Sequence, residues 1–277
     1  MWRGASIVLL LLALGYCALL LQIYFNQSNL LYLPEYAGIR SDVTPADAGL
    51  SYQSVALATE DGLQLDAWYV PAATARGVIL FCHGNAGNIT HRITTLKLLH
   101  EMGFATLIFD YRGYGRSQGV PTEQGTYRDA EAAWQYLRGQ GHEEDDIIVM
   151  GRSLGGAVAA ELAQRHTPRA VVLESTFTST PDLAAELYPL FPVRWLSRFQ
   201  YATMEYLRSI TAPVLIVHSR DDEIIPFHHG QRLFEAANPP KQFLELKGGH
   251  NETIFVSGID YYRNGLNNFF NQYVDRR

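Results

Sequence analysis

Gly151-Arg152-Ser153-Leu154-Gly155 decides the reading of this chain, because it places a serine where a strand hands over to a helix. Gly-x-Ser-x-Gly marks a sharp strand-to-helix turn on which the serine hydroxyl stands exposed, and small residues flank it because backbone segments crowd there. Alone the pattern is weak, and its neighbours supply the context. Ile147-Ile148-Val149-Met150 ahead of it is a short apolar run rich in β-branched residues, as a buried parallel strand requires. Behind it, residues 156–163 read as a helix whose small side chains allow close packing on a sheet. A glycine-rich turn without chemistry is the competing reading.

Outward from the elbow the same grammar repeats. Apolar strands are expected at 78–82, 105–109, 170–173, 214–218 and 242–246, and helices at 92–102, 122–138, 227–237 and 259–274. Such alternation calls for right-handed crossovers and an α/β fold, a mostly parallel sheet with helices on both faces. Residues 51–58 and 63–70 alternate apolar with polar around Asp61-Gly62, so the domain opens with an antiparallel hairpin. The α/β domain would then span residues 51–277. An insertion at about 175–212 interrupts the alternation with Pro181, Pro189, Pro192 and seven aromatics, among them Tyr188, Trp195 and Tyr201. Lying beyond a strand end, it suits a small lid or acyl-binding wall. An ordinary connection whose aromatics complete the core is equally open.

The N-terminus carries a second signal. No charged residue lies between Arg3 and Glu35, and residues 7–25 are almost continuously apolar. About 20 such residues cross the hydrocarbon layer as a helix. A cleaved signal peptide has a shorter apolar core and a small-x-small site, which is not evident here. The expectation is therefore an uncleaved transmembrane anchor over residues 1–27, then a connector over 28–50 punctuated by Pro34, Gly38, Pro45 and Gly49. Arg3 and the terminal amine favour a cytoplasmic N-terminus, which places the domain outside the cytoplasm. The chain is long enough for one large domain plus an appendage, and a formal net charge of −6 without a basic cluster speaks against nucleic acid. Two cysteines, Cys17 and Cys82, exclude a disulfide framework, and no metal-ligand spacing is present.

A serine hydroxyl attacks only when a base takes its proton, and that base needs an acid to fix its tautomer. Asp222 follows the strand at 214–218, with Asp221 and Glu223 beside it as rival acids. His250 follows the last strand in Gly248-Gly249-His250-Asn251, where the glycines free its backbone. Of nine histidines it is the base candidate, whereas His83 shapes a loop and His228 and His229 begin a helix. All three loops lie past strand ends, on the edge of the sheet that carries the elbow. The tetrahedral intermediate also needs amide donors for its oxyanion. The N–H of Leu154, after the nucleophile, is one; Asn85, in His83-Gly84-Asn85-Ala86-Gly87-Asn88, is the other.

These motifs, with Asp110-Tyr111-Arg112-Gly113-Tyr114-Gly115-Arg116-Ser117, Glu174-Ser175-Thr176-Phe177 and Gly249-His250-Asn251, give the chain its resemblance to the α/β-hydrolase superfamily. More narrowly it resembles the membrane-anchored α/β-hydrolase-domain group, over about residues 52–274. In that superfamily the acid loop usually reads His-Gly-x-x-Asp-x-x-(Val/Ile)-Pro. His218-Ser219-Arg220-Asp221-Asp222-Glu223-Ile224-Ile225-Pro226 matches it with Ser219 for glycine, which assigns the acid to Asp222. The resemblance implies an α/β-hydrolase fold, a membrane stem and hydrolysis of carboxylic esters or acyl thioesters through an acyl-enzyme. No cofactor or metal is called for, and the partners are a small or lipid-like acyl substrate and the membrane. A serine peptidase on the same residues, or a non-catalytic membrane scaffold, are the alternatives.

Overall fold

Period-two alternation along the central strands sorts their side chains into two cores. The computed structural model describes residues 2–34 and 42–275. In β3 (Val78–Cys82), Val78, Leu80 and Cys82 join one buried cluster while Ile79 and Phe81 join the other. One face is covered by α3 (Glu123–Gly139), α4 (Leu154–Arg165) and α8 (Phe227–Ala236), through residues such as Trp134, Val158 and Leu233. The opposite face is covered by α2 (Ile93–Glu101) and α9 (Ile259–Tyr273), through Leu96, Leu99, Leu266 and Phe270. Both faces being buried, the strands show the continuous apolar runs of a parallel sheet.

The remaining strands are β1 (Gln53–Ala58), β2 (Gln64–Val70), β4 (Ala105–Phe109), β5 (Ile147–Arg152), β6 (Ala170–Glu174), β7 (Val214–Ser219) and β8 (Lys241–Leu246). The order across the sheet is β1-β2-β4-β3-β5-β6-β7-β8. β1 and β2 form the expected hairpin, β2 joins β4 antiparallel, and every later pairing is parallel. This is the mostly parallel, doubly covered sheet read from the alternation. Register brings the C-terminal ends together: Cys82 faces Gly151, Arg152 faces Glu174, and Ser219 faces Leu246.

Close approach is severe at the elbow. A Cβ on Gly155 would stand 2.1 Å from the Cys82 carbonyl oxygen, and one on Gly151 2.2 Å from the Gly155 oxygen. Helix α4 therefore rests directly on the end of β3. Gly155→Ala is expected to destabilise the domain by about 3 kcal/mol or more, since its obstacles, the Cys82 and His83 carbonyl oxygens, belong to the backbone and cannot move aside. Thermal unfolding of the purified variant checks this.

Helix α1 (Trp2–Leu31) contains an apolar stretch, Ala5–Leu31, long enough to cross a membrane, and it continues past residue 27 into the stretch read as a connector. Leu31 packs against the domain core, which keeps those last residues helical. Of the connector, residues 35–41, Gly38 included, lie outside the described residues. The insertion holds α5 (Thr180–Leu187), α6 (Val193–Leu196) and α7 (Thr203–Leu207). Both readings of its aromatics apply, to different residues. Phe177, Phe199 and Tyr201 are buried in the core, while Tyr188 and Trp195 are exposed.

Candidate active site

Four loops that follow parallel strands meet over one edge of the sheet. After β5, Ser153 adopts φ 54° and ψ −123°, a region that side chains rarely enter, and α4 starts at the next residue. Backbone strain of this kind costs roughly 1–3 kcal/mol and clusters where function requires it. The Ser153 N–H donates to the Glu174 carbonyl (2.9 Å) and its carbonyl accepts from Gly156 N–H (2.9 Å), which pins the turn. Thr176 Oγ1 donates to the same carbonyl at 2.7 Å.

After β7 and β8, Asp222 and His250 come together, with His250 Nδ1 at 2.7 Å from Asp222 Oδ2 and both residues buried. Asp222 Oδ1 accepts from the N–H groups of Ile224 (3.0 Å) and Ile225 (2.7 Å). Burial pushes the Asp222 carboxyl upward, but His250 and the Ile225 amide outweigh it and hold it below the ordinary carboxylate value. His218 Nε2 also lies 3.6 Å from Asp222 Oδ2. Burial lowers the His218 pKa and keeps the ring neutral, donating to the Ile225 carbonyl at 2.9 Å. Oδ2 thus turns to His250 while Oδ1 is committed to the backbone.

The two rival acids do something else. Glu223 Oε2 accepts from His250 N–H at 2.9 Å, and Asp221 Oδ2 accepts from Gly248 N–H at 3.0 Å. Ser219 Oγ donates to the Gly248 carbonyl at 2.6 Å. Three residues of the acid loop therefore staple the histidine loop to it through backbone atoms. A glycine at 219 would lack that hydroxyl.

Ser153, Leu154 and Asn85 line one cavity of about 300 Å³, within the size range of small-ligand sites. Leu154 opens α4, so its N–H has no partner within the helix. The Asn85 side chain is engaged elsewhere: its Nδ2 donates to the Leu31 carbonyl at 2.7 Å. Asn85 is held by a residue pair whose part the sequence reading left out. Tyr111 OH donates to the His83 carbonyl (2.9 Å) and Tyr114 OH to the Asn85 carbonyl (3.0 Å). The signal for this in the sequence is the Asp110 block itself. Ser153 Oγ makes no hydrogen bond among the described residues, and catalytic contacts of this kind commonly tighten only around substrate.

Arg152 was also missed. Its Nη2 donates to the His250 carbonyl at 2.7 Å, and its Nε lies 3.3 Å from buried Glu174 Oε1. Tyr262 OH donates to the other oxygen, Oε2, at 2.5 Å. Arg152→Met should lower stability by about 3 kcal/mol, because it leaves Glu174 buried without its cation. It should also slow turnover roughly tenfold by loosening the His250 loop. Adding Glu174→Gln should restore the melting temperature without restoring kcat, which separates the two effects.

Glu186, His228 and His229 also converge, with ligand atoms within 4.8 Å of one another. His229 Nδ1 accepts from Thr178 N–H at 3.2 Å, which leaves its proton on Nε2, 3.5 Å from Glu186 Oε2. A protonated Nε2 offers a metal no lone pair. Burial lowers the His229 pKa to about 4.

Residues 73–204 match a family model described as serine aminopeptidase, S33. The chain is similar to the α/β hydrolase domain-containing protein WAV2 of Arabidopsis thaliana, 33% identical over 91% of this chain and 89% of that one. It is also similar to the lysophosphatidylserine lipase ABHD12 of Mus musculus, 34% identical over 65% of this chain and 50% of that one. Among solved structures, an esterase of Pyrococcus furiosus shares its fold with a TM-score of 0.71 and 20% identity, covering 88% of this chain and 98% of the esterase.

Proposed function

Because the chain belongs to the α/β-hydrolase superfamily and is a hydrolase, we propose that it is a membrane-anchored serine hydrolase of carboxylic esters or acyl thioesters. Ser153 attacks the acyl carbonyl carbon as His250 takes its proton at Nε2, and Asp222 holds the proton on Nδ1 and steadies the imidazolium. The amides of Leu154 and Asn85 receive the developing oxyanion, each such donor being worth about 10²–10³ in turnover. Collapse of the tetrahedral intermediate expels the leaving group, which takes the proton from His250. Water, deprotonated by the same ring, then attacks the acyl-enzyme and releases the acid.

The observation that carries this reading is the Asp222–His250 pair, closed at 2.7 Å and tied to Arg152, the residue before a strained serine. Helix α1 is the proposed anchor, and Arg3 ahead of its apolar run supports a domain outside the cytoplasm. The family description raises an aminopeptidase as the second reading. An aminopeptidase needs an anion for the substrate ammonium, and among the described residues no charged side chain lines the cavity. The mostly apolar lining favours an acyl chain instead.

The test is labelling with a fluorophosphonate, followed by turnover of acyl esters, thioesters and aminoacyl amides. Adduct on the Ser153 peptide and preference for esters or thioesters are expected. An unlabelled, folded protein would return the chain to a scaffold role, and equal turnover of aminoacyl amides would favour the peptidase.

A further inference from the structure

Helix α1 is bolted to the catalytic edge at its C-terminal end. Beyond the Asn85 bond to Leu31, Leu33 N–H donates to the Asn85 carbonyl (3.2 Å) and Gly87 N–H to the Leu33 carbonyl (3.1 Å). Tyr32 is buried, its hydroxyl 2.8 Å from that of Tyr201. Further up the helix, Gln27 Nε2 donates to the Leu196 carbonyl and its Oε1 accepts from Arg198 N–H, both at 2.8 Å. A glutamine in an apolar stem thereby clips the lid to it. The loop proposed to carry one oxyanion donor and the lid are both fastened to the stem.

The cavity over Ser153 lies between these parts. Ile23, Gln27, Leu30 and Leu31 form its stem wall, with Leu187 and Val193 of the lid among the residues opposite. From Leu31 to Ile23 the wall climbs α1 for about 12 Å, toward the membrane-crossing portion.

Length places the lid tip in lipid. At 30 residues α1 measures about 45 Å, whereas the hydrocarbon layer is about 30 Å thick. With Trp2 at the far boundary, the near boundary falls close to residue 22, and Tyr16 lies about 9 Å inside it. Tyr16 is where the lid tip touches: its hydroxyl donates to the Leu190 carbonyl at 3.0 Å and its ring stacks on Phe191. Leu190 is 83% exposed and Trp195 91% exposed, which water does not favour and a leaflet does. Arg198 lies over the Tyr24 ring at 5.6 Å, a cation and an aromatic at the height of the interface.

We propose that this cavity is an acyl-chain channel, walled on one side by the stem and open sideways into the leaflet, through which a long-chain acyl ester of a membrane lipid reaches Ser153. The proposal rests on Ser153 being the nucleophile. The ester carbonyl sits at the elbow, at the outer end of the wall, and the tail runs along α1 back toward the bilayer without leaving apolar surroundings. The stem is then part of the binding site, and a soluble domain cut free of it lacks one wall.

The full chain, as Ser153→Ala, is placed in dioleoylphosphatidylcholine nanodiscs carrying a phosphatidylcholine with a mid-chain diazirine on one palmitoyl chain. After irradiation, cross-links are expected on peptides holding Ile23 and Leu187, and Ile23→Trp should reduce the Leu187 cross-link at least about tenfold by filling the channel. Cross-links confined to the outward residues of α1, such as Leu9 and Leu12, overturn the proposal. In Ser153 protein, Ile23→Trp should lower the ratio of palmitoyl to butyryl ester kcat/KM at least about tenfold, and an unchanged ratio overturns it. A short-chain fluorophosphonate tests the nucleophile separately. Label without channel cross-links sinks the channel alone; cross-links without label sink the nucleophile alone.

Discussion

Ser153→Ala is expected to lower kcat by roughly 10⁶, because a triad acts as a unit and loses nearly all its benefit when the nucleophile is gone. Residual turnover, about 10³–10⁴ over water, would remain from the oxyanion amides and the pocket. A Ser153→Ala, His250→Ala double variant should therefore be no slower than the single one. Steady-state hydrolysis of a short acyl ester checks both. The stability response carries separate information. Alanine at φ 54° keeps the strain, whereas glycine enters that region freely. Ser153→Gly should thus be more stable than Ser153→Ala by roughly 1 kcal/mol, and equally inactive. Equal melting temperatures would mean that the turn stores no strain.

The sheet was readable because burial on both faces leaves a direct imprint: apolar runs such as Val78–Cys82 and Val214–Ser219 have no rival reading once helices separate them. The placement of Ser153, Asp222 and His250 was readable for a related reason, since parallel strands deliver their following loops to one edge. What local pattern leaves open is the assignment of chemically equal neighbours. Asp221, Asp222 and Glu223 are all carboxylates, and only the turn after β7 directs one at the imidazole and the others at backbone N–H groups. Contacts between distant residues leave no trace either. Glu174 and Tyr262 are 88 positions apart, and nothing near either one announces the bond to the other. Gln27 is a partial exception: a polar side chain within an apolar stem signals a partner, although not that the partner is the lid.

Asp222→Asn is expected to reduce kcat by about 10⁴ with little change in melting temperature, because it alters a tautomer and leaves the loop intact. Asp222 uses both oxygens as acceptors, whereas an amide has only one. Two backbone donors, Ile224 and Ile225, converge on Oδ1, against one ring nitrogen on Oδ2. The amide oxygen should therefore stay with the backbone and turn its NH₂ toward His250. Nδ1 must then present a lone pair, and the ring proton moves to Nε2. That is the nitrogen that has to accept the proton of Ser153, so attack is blocked while ground-state binding survives. KM should change little, and fluorophosphonate labelling should slow along with kcat, since both require the same proton removal. Glu223→Gln and Asp221→Asn each keep an acceptor oxygen for the N–H they hold, so each should cost less than about tenfold. A larger loss at Glu223 than at Asp222 would move the orienting acid one residue along the loop, against the pairing of Asp222 Oδ2 with His250 Nδ1.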